Sequence, residues 1–304
     1  MARRLRFIPE GGALVEVTCR TIHGRFLLKP SRRLNRIIVG ILARARRLYP
    51  VDIHGFAFLS NHFHLLISVP HAHRLAQFMS YFSGNLAREA GRLANWREKF
   101  WSRRFQAIVV SEEDAAQIAR LHYILAQGVK EGLVRRVLDW PGLHSAEPLL
   151  SGQPVEGIWV NRTKLFRARN RGKRLRRDEF ETAERLELAQ LPCWSHLSPS
   201  EYRQRVLELV AEIEEPGNHA TAHVSLSTSH HDRPKASKRS PAPYFHCATR
   251  QAWREFFRAY QWFLVAYRQA TERLKRGDPK PAFPVGSFLP PLALSQPAIL
   301  RRSG

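Results

Sequence analysis

The stretch Leu59-Ser60-Asn61-His62-Phe63-His64-Leu65-Leu66-Ile67 constrains this chain more than any other. It reads as a β-strand with histidines at i and i+2. A strand turns alternate side chains to opposite faces, so His62 and His64 project from one face, about 7 Å apart at the backbone. That spacing lets two imidazoles converge on one metal ion. The apolar run Leu65, Leu66, Ile67 anchors the strand in a core. A His-x-His strand is by itself more often a polar sheet face than a ligand pair, so the rest of the chain has to decide.

The flanking sequence supplies a regular set of elements. Residues Ala13 to Thr21 alternate well enough for a strand after the turn at Gly11-Gly12. Leu34, Ile37, Ile38, Ile41, Leu42 and Ala45 then mark one buried helical stripe, with arginines on the remaining surface and Pro50 ending it. Val51 to Leu59 reads as a strand joined by a short hairpin-like connection to His62–Val69. Leu75, Phe78, Met79, Phe82 and Leu86 give a second amphipathic helix, and Ala107 to Val110 a further strand. A third helix is expected to start at a cap formed by Ser111 with Asp114, and to stop near Gln127 at Gly128. This order predicts an α+β sandwich, an antiparallel sheet with helices on one face, within residues 10–150.

Charge is the dominant compositional fact. The 304 residues carry 49 Lys and Arg against 26 Asp and Glu, a net charge of +23, which argues for a polyanionic partner. A hydrophobic share of 44% fits a globular chain. Cys19, Cys193 and Cys247 are too few and too scattered for a disulfide framework or a thiolate zinc site, which suits a reducing compartment. No signal peptide and no membrane-length apolar run is evident. The expectation is a cytoplasmic, nucleoid-associated protein with no membrane partner.

The second half reads less sharply. Residues 151–215 form a basic, partly helical extension, in which 162–177 hold nine Lys or Arg among sixteen residues and no acid. Such a run is commonly a solvated linker; with this net charge, phosphate contact through Arg167, Arg169, Lys173 and Arg174 is an equal alternative. Around 178–215 helical patterns return through Phe180, Leu186, Leu188, Tyr202, Val206, Leu209 and Val210. Residues 216–245 lack periodic apolar positions and read as a flexible linker. Residues 246–304 carry a helix whose aromatic face (Trp253, Phe256, Phe257, Tyr260, Phe263, Leu264, Tyr267) reads as packing rather than base stacking. A Pro-rich tail follows, free to wrap over the domain or to extend from it.

The third helix carries the chemistry. Ile118, Leu121, His122 and Leu125 cluster on one side, while Tyr123 and Gln127 fall roughly opposite, with Arg120 beside them. A surface tyrosine with an amide neighbour is the ordinary reading. Two histidines, an amide and a phenol also form a chemical set. A divalent ion held by His62, His64 and the Gln127 oxygen would polarise a phosphodiester and leave Tyr123 as nucleophile. Neutral imidazoles with oxygen ligands suit Mg²⁺ or Mn²⁺.

These residues resemble a known family. Asn61-His62-Phe63-His64-Leu65-Leu66 is similar to the HUH signature of single-tyrosine transposases, especially the REP-associated tyrosine transposases (IS200-like transposase domain). Tyr123-Ile124-Leu125-Ala126-Gln127-Gly128-Val129-Lys130-Glu131-Gly132-Leu133-Val134 resembles their tyrosine motif, with Gln127 where asparagine is common and Gly128 where proline is usual. Asp139-Trp140-Pro141 and Phe100-Trp101-Ser102-Arg103-Arg104-Phe105 also look like segments of that family. The resemblance covers residues 10–150 and implies a ferredoxin-like (RRM-like) antiparallel sheet with helices packed on it, followed here by a mainly helical C-terminal extension. It implies metal binding by His62 and His64, with Gln127 in the third ligand position. It implies a 5′-phosphotyrosine link between Tyr123 and single-stranded or hairpin DNA, and action as a monomer or a homodimer. Arg103, Arg104 and Arg120 are further candidate DNA contacts. The alternatives are a domesticated, non-catalytic single-stranded nucleic-acid-binding protein on the same fold, and a metal phosphodiesterase that activates water.

Overall fold

A computed structural model describes residues 5–215 and 244–289. In chain order the elements are β1 (Ala13–Arg20), α1 (Arg32–Leu48), β2 (Asp52–Phe58), β3 (His62–Val69), α2 (Ala72–Leu93), β4 (Gln106–Val110), α3 (Asp114–Leu125) and the short α4 (Gln127–Lys130). There follow α5 (Ala146–Ser151), β5 (Val155–Val160), α6 (Arg162–Asn170), α7 (Arg177–Phe180), β6 (Glu181–Leu186), α8 (Pro199–Glu214), β7 (Phe245–His246) and α9 (Arg250–Lys275). The linker expected at 216–245 lies outside the described residues except for its last two, and so does the tail beyond residue 289.

One five-stranded sheet organises the molecule, in the order β2-β3-β1-β4-β7. All neighbours are antiparallel except β4 and β7, where Val109 and Val110 pair in parallel with Phe245 and His246. The sheet buries both faces, and the alternation of side chains assigns each residue to one of them. Val15, Val17, Phe63, Leu65 and Ile67 meet the stripe of α1 and the inward face of α2. Leu14, Ala57, Leu66 and Val110 meet α3, Trp140 and α8 on the other face. The expectation of helices on one face is therefore corrected: α3 and α8 cover the second face. A β-bulge between Ile53 and Gly55 lets both Ile53 and Phe56 join the first core. The bulged His54 bonds instead to the Gln190 carbonyl and the Ser68 hydroxyl, each at 2.7 Å.

Local signals account for most boundaries. The Ser31 hydroxyl accepts from Leu34 N–H and caps α1, and Ser198 with Glu201 forms a capping box on α8. Of the helical pattern expected through Phe180, Leu186 and Leu188, only Phe180 lies in a helix, at the end of α7. Glu181–Leu186 is a strand paired antiparallel with Val155–Val160, and Leu188 follows it outside any helix. These two strands pack on α1, away from the main sheet. Contact is close enough that a Cβ on Gly40 would lie 2.0 Å from the Ile158 carbonyl oxygen, and one on Gly157 2.3 Å from the Gly40 nitrogen. On α9, Tyr260 and Phe263 are buried in the first core and Phe256, Phe257 and Leu264 pack against it, in line with a packing face. The described part of the tail runs back over the start of α2, where Phe288 stacks on His73 at 4.3 Å.

Helix propensity alone makes Gly40→Ala stabilising by about 1 kcal/mol, since Gly40 lies inside α1. The clash with β5 backbone outweighs this. Gly40→Ala is expected to lower stability by about 3 kcal/mol, read as a reduced urea midpoint.

Candidate active site

The β2–β3 hairpin presents the histidine pair. His62, His64 and Leu66 share the face that α3 covers, and both histidines are buried. Their ring centroids stand 5.1 Å apart at 78°. Each ring is oriented through Nδ1. His62 Nδ1–H donates to Asn61 Oδ1 at 2.6 Å, while the Asn61 amide nitrogen donates to the Gly24 carbonyl and so fixes which amide atom faces the ring. His64 Nδ1–H donates to Glu16 Oε1 at 2.7 Å. Carboxylate and amide oxygens only accept, so each ring turns an Nδ1–H to its partner and its Nε2 away from it. Burial, with the charges of His64 and Arg20, holds the His62 imidazolium well below its usual pKa, so that ring is neutral.

The second carboxylate oxygen of Glu16 accepts from Arg120 at 2.7 Å. Glu16 is 1% exposed and Arg120 9%, so the His64–Glu16–Arg120 chain is an interior network joining β3, β1 and α3. Burial alone would raise the Glu16 pKa. The His64 hydrogen bond and the charges of His64 and Arg120 overcome it, and the carboxyl lies below its ordinary value.

Tyr123 reaches this network from α3. Its ring lies 5.6 Å from the His64 ring, edge-on, with the Arg120 guanidinium 5.0 Å and the Lys130 ammonium 4.3 Å from its centroid. Burial raises the phenol pKa, and a hydrogen bond with the Gln127 side chain opposes that in part. Gln127 is 1% exposed and donates its amide N–H to the Tyr123 carbonyl at 2.9 Å, leaving its side-chain oxygen as an acceptor. Among the described residues no three His, Cys, Asp or Glu side chains stand together as a metal-binding group. The donor set fits a divalent ion if the Gln127 oxygen joins the two imidazoles.

Several expectations about α3 are corrected. Its buried side is Ala116, Gln117, Arg120, Leu121, Ile124 and Leu125, so His122 is peripheral and Tyr123 faces the sheet edge-on rather than turning away from it. The N-cap is Glu113, not Ser111. The Ser111 hydroxyl donates to the Glu113 carboxylate, which also accepts from the Ala248 N–H and so ties the start of α9 to the start of α3. Gly128 does not end the helix in a left-handed turn; it lies inside α4. Arg120, expected to touch DNA, is engaged with Glu16. Arg103 and Arg104 are exposed in the turn before β4, where Ser102 N–H bonds to the Arg20 carbonyl at the His62 end of the sheet. Arg167, Arg169, Lys173 and Arg174 belong to the unit carried by β5 and β6, which sits on α1 and therefore on the other side of the main sheet.

Sequence reasoning missed Glu16, the acid that accompanies the histidines. The available signal was an acid in the middle of an otherwise apolar strand, Leu14-Val15-Glu16-Val17, which the register places two residue pairs from His64 and therefore on the same face. Removing one partner of a buried ion pair leaves the other charge uncompensated. Glu16→Gln is expected to cost about 3 kcal/mol of stability in urea denaturation, with Arg120→Met in the same background restoring part of it. His144 supports α3 from behind: its Nδ1 accepts from the Ala146 N–H, and burial pushes its pKa from the usual 6.5 to about 4. The unfolded chain then takes up this proton first. Stability contributed by neutral His144 is present above about pH 6.5 and is lost as pH falls toward 4, a slope that His144→Gln is expected to flatten in pH-dependent urea melts.

Residues 25–127 match the model of the family described as "Transposase IS200 like". No curated protein matches the chain. Among solved structures, a REP-associated tyrosine transposase bound to a REP hairpin overlaps 50% of this chain and 86% of its own, at 19% identity and a TM-score of 0.40. A candidate transposase from Deinococcus radiodurans R1 overlaps 40% of this chain and 94% of its own, at 16% identity and a TM-score of 0.24. No helix among the described residues is long and apolar enough to cross a membrane. The histidine strand and the tyrosine helix both lie inside the matched span, so this third of the chain is similar to the family described as transposase IS200-like.

Proposed function

We propose that residues 10–150 are a ferredoxin-like catalytic domain that cleaves and rejoins single-stranded or hairpin DNA through Tyr123. The β-α-β-β-α-β order and the placement of β1 between β3 and β4 support that fold reading. The observation that carries the activity is the Tyr123 ring 5.6 Å from His64, two side chains brought together from separate elements.

Tyr123 Oη attacks the phosphorus of a phosphodiester. The Oη–P bond forms as the P–O3′ bond breaks, so the 5′ side becomes joined to tyrosine. The phenolic proton is balanced by the proton gained on the departing 3′ oxygen, which leaves as a free 3′-OH. Attack by another 3′-OH reverses these steps and restores the phenol. His62 and His64 would hold Mg²⁺ or Mn²⁺ through Nε2, with Gln127 supplying an oxygen. When bound, the ion supplies Lewis-acid polarisation of the phosphate oxygens. Asn61 and Glu16 orient the two rings. Arg120 and Lys130 place positive charge at the faces of the tyrosine ring, where it favours developing phenolate character and an approaching phosphate.

Incubation with a labelled single-stranded hairpin and Mn²⁺ is expected to give a covalent protein–DNA band on a denaturing gel. That band should vanish in Tyr123→Phe and with a chelator, and fall by about 10–100-fold in Asn61→Ala, whose side chain orients His62. Tight binding with no adduct under all conditions would instead support the binding-protein reading. Cleavage that survives Tyr123→Phe would support water as nucleophile.

A further inference from the structure

Away from the tyrosine, a cleft of about 520 Å³ opens between α6, the α6–α7 turn and the start of α1. Its rim carries Arg33, Arg162, Arg169, Lys173, Arg174 and Arg177. Two of these cations are already used. Arg33 grips Glu181 through both guanidinium nitrogens, at 2.5 and 3.4 Å, and Arg162 forms a two-pronged pair with the buried Glu89 of α2. These pairs pin the cleft to the body of the domain. Arg169, Lys173, Arg174 and Arg177 have no carboxylate within ion-pair distance among the described residues. The docking of β5 against α1 through Gly40 and Gly157 seats the unit directly on the helix backbone. Four uncompensated cations fixed around one opening repel one another, and a multivalent anion relieves that repulsion.

The position of the cleft matters as much as its charge. The β5–β6 pair lies on the outer side of α1, and α1 lies on the sheet face opposite His62, His64 and Tyr123. The thickness of a helix and a sheet, each on the order of 10 Å, therefore separates cleft from tyrosine. A strand held at Tyr123 for cleavage cannot occupy the cleft at the same nucleotide. Besides the apolar Leu165, Leu175 and Phe180, and Glu181 held by Arg33, the side chains lining the cleft are all Arg and Lys, whose positive charge suits phosphate oxygens.

We propose that this cleft binds the phosphate backbone of a duplex DNA arm at a distance from the nucleotide presented to Tyr123, without regard to sequence. The proposal rests on the reading of the chain as a DNA-processing protein, but its test does not depend on cleavage. The full chain is compared with a variant carrying Arg169→Ala, Lys173→Ala, Arg174→Ala and Arg177→Ala, with circular dichroism confirming an unchanged fold. A second variant removes the same charge from the exposed face of α9, as Arg250→Ala, Arg254→Ala, Arg258→Ala and Arg268→Ala. Affinity is measured by fluorescence anisotropy over a salt series, for a hairpin with a stem of about twenty base pairs and for an unstructured oligonucleotide of about six nucleotides.

Each duplex phosphate contact contributes about 0.9 to the slope of log K against log salt, so losing four contacts flattens it by about 3 to 4. The expected result is that flattening for the stem-bearing hairpin in the cleft variant only, with coincident slopes on the short oligonucleotide. Equal slopes for the cleft variant and the unaltered chain on the hairpin would overturn the proposal. So would equal flattening in the α9 variant, which would reduce the effect to net charge. Loss of binding to phosphatidylserine vesicles with DNA slopes unchanged would assign the cleft to a membrane surface and also overturn it. A chain that shows the cleft effect yet forms no tyrosine adduct would refute the proposed cleavage while leaving the duplex site standing.

Discussion

A carboxylate in the centre of an apolar sheet needs both oxygens satisfied, and the geometry around Glu16 follows from that need. Leaving such a group unpaired would cost several kcal/mol. Its Oε1 accepts from His64 on β3 and its Oε2 from Arg120 on α3. Because β1 lies between β3 and β4, one side chain ties a strand on one side to a helix crossing above. The position of the tyrosine helix over the histidine strand is thereby fixed by charge as well as by the contacts of Leu121, Ile124 and Leu125. Arg120, held in this way, also lies over the Tyr123 ring.

The sheet has two buried faces of different character. One is purely apolar and supports α1, α2 and, beyond α1, the β5–β6 pair. The other mixes Leu14, Ala57 and Leu66 with Glu16, His62 and His64 beneath α3. The alternation of a single strand, β3, separates the two roles: Phe63, Leu65 and Ile67 hold the domain together while His62 and His64 stand where a reacting group could approach. The same layering explains why the basic run of residues 162–177 is remote from the tyrosine.

Legibility followed the range of the interaction that fixed each element. The helical stripe from Leu34 to Ala45 and the strand His62–Val69 are written in local periodicity, and the observed α1 and β3 lie where that periodicity places them. The strand Glu181–Leu186 is not, because its charged and small residues carry no clear alternation and it extends only by pairing with Val155–Val160. The buried side of α3 was misread for a related reason. A hydrophobic pattern leaves out Gln117 and Arg120, which are buried because Gln117 Oε1 accepts from the Cys193 N–H and Arg120 meets Glu16, partners about eighty and a hundred residues away in the chain.

By itself the sequence determined the strand with its two histidines, the amphipathic helices, the excess of positive charge and the pairing of a His-x-His motif with a later tyrosine motif. Each of these is a property of residue type and near-neighbour spacing. Only the tertiary structure decided that Tyr123 faces the histidines, that Glu16 orients one of them and that α3 lies on the opposite face from α1. It alone gathered Arg33, Arg162, Arg169, Lys173, Arg174 and Arg177 around one cleft. Those arrangements depend on burial and on ion pairs between distant segments, and burial is a property of the packed chain rather than of any stretch of it.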